Sequence, residues 1–142
     1  MSNREYPARP VVGVGGVVFI GDQVVLVKRR HAPLAGQWSL PGGAVEVGET
    51  LTAAITRELR EEIGLETRVG PLIELFDRIT RDDSGRVRFH FVLADYLCHY
   101  VAGELTAGSD AEQVALVDPT ALSSYRVTAK AVEIVAAGAL LR

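Results

Sequence analysis

Three glutamates at helical spacing are the residues of this sequence best placed to do chemistry. Glu58, Glu61 and Glu62 stand at positions i, i+3 and i+4, which on an α-helix places them within an arc of roughly 100°. Carboxylates held this close repel one another, and the repulsion grows when they are partly removed from water. Because a bound divalent cation would reverse that penalty, the spacing indicates a metal site.

The alternative interpretation is a solvated acidic face, which is the usual role of glutamates on a helix. The same helix, however, carries an apolar stripe about 120° wide that is expected to face the core: Leu51, Ile55, Leu59 and Ile63. Glu58 and Glu62 border that stripe, beside surface expected to be buried, where an unpaired charge is costly. The projection therefore favours a cation site.

The ion expected at these oxygen ligands is Mg²⁺, with Mn²⁺ as the alternative. Hard divalent cations prefer carboxylate and water oxygens, and Mg²⁺ commonly combines one or two carboxylates with waters and substrate phosphate. No two of His31, His90 and His99 stand at a metal-ligand spacing, and the pattern H-E-x-x-H is absent. The sequence thus gives little support for zinc-dependent hydrolysis.

Composition limits the protein to a few classes. The 142 residues fit one domain, and 48% hydrophobic with 23% charged residues is typical of a globular chain. A net charge of −3 provides no basic field for extended nucleic acid or an anionic membrane. Cys98 is the only cysteine, which excludes an intrachain disulfide. With no secretory signal or membrane span recognisable, we expect a cytoplasmic protein.

Residues 1–10 are expected to form a flexible tail before one domain at residues 11–142. A helix from Leu51 to Ile63 is predicted, capped by Thr50 and ended by Gly64, followed later by a second helix from Thr128 to Leu141. Before the first helix, the Gly- and Pro-rich residues 32–48 indicate a loop. Extended segments are predicted at Val11 to Ile20, Gln23 to Arg30, Arg68 to Thr80, Arg86 to Tyr100 and Glu112 to Val117. This order favours a mixed sheet flanked by helices.

The region around the three glutamates resembles the complete Nudix box. It reads Gly43-x5-Glu49-x7-Arg57-Glu58-Leu59-x-Glu61-Glu62-x-Gly64-Leu65 and follows Trp38-Ser39-Leu40-Pro41-Gly42-Gly43. The resemblance implies an α/β (α+β) fold of the Nudix type. In this α/β/α sandwich, a mixed β-sheet lies between one central catalytic helix and a C-terminal helix.

The resemblance also implies a role for each box residue. Glu58, Glu61 and Glu62 become metal ligands, the Gly42 carbonyl is a further candidate ligand, and Glu49 and Arg57 become catalytic supports that orient the ligands. Glu62 is the first candidate for the general base. Glu112 and Asp110, near an expected later loop, are the other candidates for the base or an extra metal ligand.

The implied reaction is Mg²⁺-dependent hydrolysis of the diphosphate bond of a nucleoside diphosphate linked to a group X. ADP-ribose or a related nucleotide sugar is the leading substrate. A nucleoside triphosphate pyrophosphohydrolase that cleans the nucleotide pool is the alternative, and a non-catalytic nucleotide-sensing module is a third. Arg29 and Arg30 are candidate phosphate-binding residues, with a surface role as the alternative. The partner is then a small nucleotide, and a homodimer is compatible with the resemblance.

Overall fold

The central sheet is mixed, and its strand order places one long apolar strand in the middle. The structure, a computed structural model, describes residues 4–32 and 34–142, and in this part of the chain seven strands form one sheet with the order β3-β2-β1-β6-β5. In addition, β4 pairs with β1, and β7 pairs with β2. The strands are β1 Val11–Ile20, β2 Gln23–Arg29, β3 Trp38–Ser39, β4 Gly42–Ala44, β5 Glu66–Arg81, β6 Val87–Ala102 and β7 Ala111–Val117.

Strand β1 separates two helical layers because its successive side chains point to opposite faces. Val14 and Val18 pack in one apolar cluster with α1 (Leu51–Ile63), whereas Val17 and Phe19 pack in a second cluster with α2 (Ala129–Leu140). Pairing of β1 with β6 is parallel, and the other strand pairs are antiparallel. The predicted α/β/α sandwich with a mixed sheet is therefore confirmed.

Helix α1 has the predicted bounds because both of its ends are determined locally. The Thr50 side chain accepts a hydrogen bond from the Ala53 N–H at 3.1 Å, which caps the first turn. Gly64 ends the helix with φ of 75°, a left-handed conformation that glycine adopts without strain. Ile55, Leu59 and Ile63 are fully buried, so the predicted apolar stripe faces the core.

Other predicted bounds were less accurate. The segment predicted as a loop contains the short strands β3 and β4, and the hairpin strands β5 and β6 are longer than predicted. A 3-10 helix at Pro119–Ser124 precedes α2 and was not predicted. None of the helices in the described ranges is long and apolar enough to cross a membrane.

The segment predicted as a flexible tail contacts the sheet where it is described. The backbone N–H of Tyr6 donates to the Arg88 carbonyl at 2.7 Å, and the Tyr6 hydroxyl donates to Asp82 at 2.9 Å. Glu5 forms an ion pair with Arg88 at 2.8 Å. Residues 1–3 of the predicted tail, and Pro33 of the predicted loop, lie outside the described residues.

Candidate active site

A cavity of about 400 Å³ opens between α1 and the sheet. Helix α1 contributes Arg57, Glu58, Glu61 and Glu62 to its wall, and the opposite wall comes from strands β1, β2, β4, β5 and β6 and the start of α2. The cavity therefore brings the acidic cluster of α1 together with residues that are distant in sequence.

The three glutamates of α1 differ in their environment. The Glu58 side chain is 15% exposed and the Glu61 side chain 60% exposed. Burial raises the pKa of the Glu58 carboxyl, although the Arg57 guanidinium opposes this. Burial and the neighbouring charge of Glu58 raise the pKa of Glu62 to about 8, against the opposing effects of Arg29 and a backbone hydrogen bond from Gly42. Placing two negative charges here is thus costly without a cation.

Arg57 holds the acidic cluster in place through five hydrogen bonds. Its Nε and Nη2 donate to the two carboxylate oxygens of Glu49 at 2.6 and 2.9 Å, a bidentate pair. Its Nη1 donates to Glu58 at 2.8 Å and to Glu61 at 3.1 Å, and Nη2 also reaches the Ala44 carbonyl at 3.1 Å. The two hydrogen bonds from Arg57 to Glu49, together with one from the backbone N–H of Glu46, lower the pKa of the Glu49 carboxyl to about 2. Arg57 therefore orients two of the three glutamates.

Glycines in β4 let the strand approach both α1 and β1. A Cβ atom at Gly43 would lie 2.3 Å from the Glu58 carboxyl carbon, and one at Gly42 would lie 2.0 Å from the Val14 carbonyl oxygen. Any side chain at these two positions would displace the Glu58 carboxylate or separate β4 from β1. The glycines of the motif thus keep the backbone beside the acidic cluster.

The two acidic candidates for the later loop are placed differently. Asp110 lines the cavity, and its charge raises the pKa of both Glu58 and Glu62. His31 Nε2 lies 3.9 Å from the Asp110 carboxylate. Glu112 does not line the cavity and lies 4.0 Å from Lys28. The geometry therefore favours Asp110 over Glu112 as an addition to the acidic cluster.

Arg29 and Arg30 both line the cavity, as expected for candidates that bind phosphate. Burial lowers the pKa of the Arg29 guanidinium, and the negative charge of Glu62 opposes this. Arg30 donates to the Ala111 carbonyl at 3.2 Å, which fixes it beside the start of β7. Arg29 is therefore close enough to the acidic cluster for its positive charge to interact with the negative charge of Glu62.

Several cavity residues were missed by sequence reasoning, above all Asp95 and Arg78 from the β5–β6 hairpin and Lys130 from α2. One signal was available for Asp95. It is an isolated acidic residue in the long apolar run from Phe91 to Cys98, where a buried strand ordinarily carries no charge. Arg78 and Lys130 carry no comparable signal, because surface strands and helices commonly bear such cations.

The donor set suits a hard divalent cation. Within residues 4–32 and 34–142, no three His, Cys, Asp or Glu side chains converge closely enough to form a metal site by themselves. Mg²⁺ does not require this, since waters and substrate phosphate oxygens commonly complete its coordination. Glu58 and Glu62 supply carboxylate oxygens. Burial disfavours the charged form of both carboxyls, and a bound cation would stabilise that form. The residues present therefore fit the expected ion.

Comparisons with known proteins identify the family of the chain. A family model described as NUDIX domain matches residues 9–137. An ADP-ribose pyrophosphatase from Methanocaldococcus jannaschii is 36% identical over 109 residues, which are 77% of this chain and 62% of that protein. An 8-oxo-dGDP phosphatase from Homo sapiens is 37% identical over 57 residues, 40% of this chain and 18% of that protein. The chain thus spans less than two thirds of the length of either relative.

A solved structure shows the same fold. The crystal structure of a MutT NUDIX hydrolase from Burkholderia pseudomallei matches with a TM-score of 0.78 at 29% identity. The match covers 90% of this chain and 97% of that chain. The layered arrangement of sheet and helices described above is therefore shared along almost the whole length of both chains.

Proposed function

The chain belongs to the NUDIX domain family, and from this membership we propose that it hydrolyses the diphosphate bond of a nucleoside diphosphate linked to a group X. The observation that carries the proposal is the pair of partly buried carboxylates, Glu58 and Glu62, in a cavity that is also lined by Arg29 and Arg30. Acidic and cationic groups in one cavity match a ligand made of a metal ion and phosphates.

Glu58, Glu61 and Glu62 are the proposed metal ligands, with the Gly42 carbonyl as a further ligand. Mg²⁺, or Mn²⁺ in its place, would offset the negative charge of the phosphate oxygens and so make the phosphorus accessible to water. Arg57 and Glu49 act through the ligands, because their hydrogen bonds fix where the Glu58 and Glu61 carboxylates point. Both are positioning residues.

Glu62 is the proposed proton acceptor for the attacking water. Its side chain lines the cavity in which the metal ion and the diphosphate would meet, within reach of a water directed at phosphorus. Asp110 is the alternative, since it lies on the same cavity wall, and Glu112 is a weaker candidate because it sits outside the cavity. Arg29 and Arg30 bind the phosphate groups, which keeps the scissile bond beside the carboxylates.

The substrate proposed first is ADP-ribose or a related nucleotide sugar, which the similarity to the ADP-ribose pyrophosphatase of Methanocaldococcus jannaschii supports. The similarity to the human 8-oxo-dGDP phosphatase favours a second candidate, an enzyme that cleans the nucleotide pool of oxidised purine nucleotides. A small nucleotide is the partner in either case. The cytoplasmic location and the homodimer expected from the sequence stay predictions.

A substrate screen tests the proposal. The purified protein is incubated with Mg²⁺ and ADP-ribose, nucleotide sugars, dinucleoside polyphosphates, or ordinary and oxidised nucleoside triphosphates. Coupled phosphatase then releases phosphate from the monoester products of the compounds that carry no terminal phosphate, and inorganic pyrophosphatase reports the pyrophosphate released from the triphosphates. We expect turnover of at least one compound, with ADP-ribose or a nucleotide sugar ranked first. Hydrolysis of triphosphates alone would shift the assignment to the second candidate, and no turnover of any compound would refute hydrolysis.

Glu62→Gln provides the matched loss-of-function variant. The substitution keeps the shape of the side chain but removes the charge, so turnover should fall by at least about 10²-fold. Glu66→Gln is the control, because Glu66 is exposed and pairs with Arg60 at 2.7 Å outside the cavity. Turnover close to that of the unaltered protein in Glu62→Gln would contradict the role given to Glu62.

A further inference from the structure

Asp95 is a buried carboxylate that the proposed mechanism does not use. It is 6% exposed and is the one buried charged or polar residue in the described ranges. Its side chain lines the cavity from β6. No hydrogen bond or ion pair joins this carboxylate to another group in residues 4–32 and 34–142. The Asp95 oxygens keep some access to the cavity, so a bound ligand can supply the donor that a buried carboxylate ordinarily has.

The cations near Asp95 have other partners. Lys130 pairs with Glu74 and lies 4.7 Å from the centre of the Phe76 ring. The Arg78 guanidinium stacks over the same ring at 5.9 Å. Burial raises the pKa of Asp95 to about 6, Arg78 and Lys130 oppose the rise, and Glu74 adds to it. At neutral pH the side chain is therefore mainly a charged hydrogen-bond acceptor.

The sheet register places the backbone of Asp95 two strands away from β4, which lies beside the acidic helix. The Asp95 side chain lies on the α2 face of the sheet, because its neighbours Ala94 and Tyr96 pack in the cluster with α1. Gly15 of β1 lies opposite Asp95 on one side and opposite Gly42 on the other. Two strand spacings amount to roughly 10 Å, so this is about how far the Asp95 backbone lies from Gly42, whose backbone contacts Glu62. A Cβ atom at Gly15 would lie 2.4 Å from the Asp95 Oδ1 atom, so the absent side chain leaves room for the carboxylate.

We propose that Asp95 is a specificity-determining residue whose carboxylate accepts a hydrogen bond from an N–H or O–H group of the substrate, on the moiety attached to the diphosphate. This rests on the proposed function, because the diphosphate would lie against the acidic helix, which lines the same cavity as Asp95. Ribose hydroxyls and the exocyclic amine of a nucleobase share this donor chemistry. Apolar residues such as Phe76, Phe91 and Leu93 line the same cavity as the acceptor, which strengthens discrimination against a moiety that lacks the donor.

The test compares substrates that differ by one donor. The best substrate of the screen is assayed beside analogues that lack the 2′-hydroxyl, the 3′-hydroxyl or the exocyclic amine. In the unaltered protein we expect one analogue to lose at least about 10-fold in kcat/KM, because Asp95 is then left unpaired. The analogue that loses identifies the source of the donor. In Asp95→Asn the same analogue should come within about 3-fold of the parent substrate.

Asp77→Asn is the matched control, since Asp77 lies on the neighbouring strand, is exposed and does not line the cavity. It should keep the full discrimination. A purely structural role of Asp95 would lower kcat/KM for all substrates alike, so an unchanged ratio between parent and analogue in Asp95→Asn overturns the inference. If Asp95→Asn does not fold, equal kcat/KM for all analogues in the unaltered protein overturns it as well.

A binding experiment distinguishes failure of this inference from failure of the proposed function. If the unaltered protein hydrolyses no compound, the binding of the same nucleotides is measured by calorimetry on the unaltered protein and Asp95→Asn. Weaker binding of one analogue to the unaltered protein alone would support Asp95 as the acceptor without hydrolysis. Equal binding of all analogues would contradict it.

Discussion

At the level of single residues, Arg57 shows why arginine and lysine are not equivalent. Its planar guanidinium reaches four acceptor groups, those of Glu49, Glu58, Glu61 and Ala44, from fixed directions. A lysine ammonium at the same place offers one charge and no bidentate geometry. In Arg57→Lys we expect turnover to fall about 10 to 100-fold and the Mg²⁺ concentration for half activation to rise. Activity assays across a magnesium titration measure both.

Arg60→Lys is the control for this prediction. Arg60 also forms a bidentate pair, with Glu66 at 2.7 and 2.9 Å, but both side chains are exposed. Solvent screens an exposed ion pair, so Arg60→Lys should leave turnover and the magnesium titration unchanged. The same loss in both variants would mean that the helix surface, rather than the acidic cluster, needs the guanidinium.

The relative placement of residues on one helix could be predicted because it depends on local geometry alone. The spacing of Glu58, Glu61 and Glu62 fixes their common edge whatever the rest of the fold does. Asp95, by contrast, lines the same cavity only because β6 pairs with β1 in one register, with Gly15 opposite. Pairing between strands about 80 residues apart is not visible in a single sequence, and therefore this part of the site was missed.

Among the elements, the connection between β6 and β7 packs against the C-terminal end of α1. The Thr106 N–H donates to the Ile63 carbonyl at 3.0 Å, and the Gly108 N–H donates to the Glu62 carbonyl at 2.7 Å. These bonds satisfy carbonyls that a helix end leaves without partners. They also place Asp110, two residues after Gly108, beside the acidic cluster. The connection thus stabilises the helix and completes the acidic wall.

Gly108→Ala tests this packing. A Cβ atom at Gly108 would lie 2.1 Å from the Glu61 carbonyl oxygen, so the connection must move away from the helix. We expect the free energy of unfolding to fall by about 1–3 kcal/mol, measured by urea denaturation. Turnover should fall as well, because Asp110 moves with the connection.

Gly21→Ala is the comparison variant for this substitution. Gly21 has φ of 61° and no atom within 4 Å of a Cβ, so its cost is limited to backbone strain of about 1–2 kcal/mol. Its turnover should stay unchanged because the turn lies outside the cavity. If Gly108→Ala keeps full turnover, the connection does not position a residue that the reaction needs.

Elements that depend on local interactions were predicted more accurately than elements that depend on contacts between distant parts of the chain. Helix α1 carries its own start and stop signals at Thr50 and Gly64, and its bounds were predicted correctly. Strands β3 and β4 have only two and three residues and exist because β2 and β1 offer them partners. Glycine-rich sequence gives no sign of such pairing, so this segment was predicted as a loop.

At the scale of the whole molecule, repulsion within the acidic cluster lowers the stability of the fold, and a bound cation would remove that repulsion. Strands and helices on both sides of β1 hold Glu58 and Glu62 at the cavity wall, where burial raises the pKa of both carboxyls. Without metal, the folded protein therefore carries the electrostatic cost of these two partly buried carboxyls. A ligand that binds only the folded chain stabilises it by about 2.7 kcal/mol at a concentration of about 100 times Kd.

Addition of Mg²⁺ should therefore raise the midpoint of thermal unfolding, by on the order of 5–10 °C for a chain of this length. Chelation should reverse the shift, because the carboxylates regain their mutual repulsion. In Glu62→Gln, Mg²⁺ should raise the unfolding midpoint by only a small fraction of the rise in the unaltered protein. In Glu66→Gln the full rise should remain. Scanning calorimetry at neutral pH with and without Mg²⁺ measures all three proteins. Equal midpoints with and without the ion in the unaltered protein would indicate that the acidic cluster is a solvated face rather than a metal site.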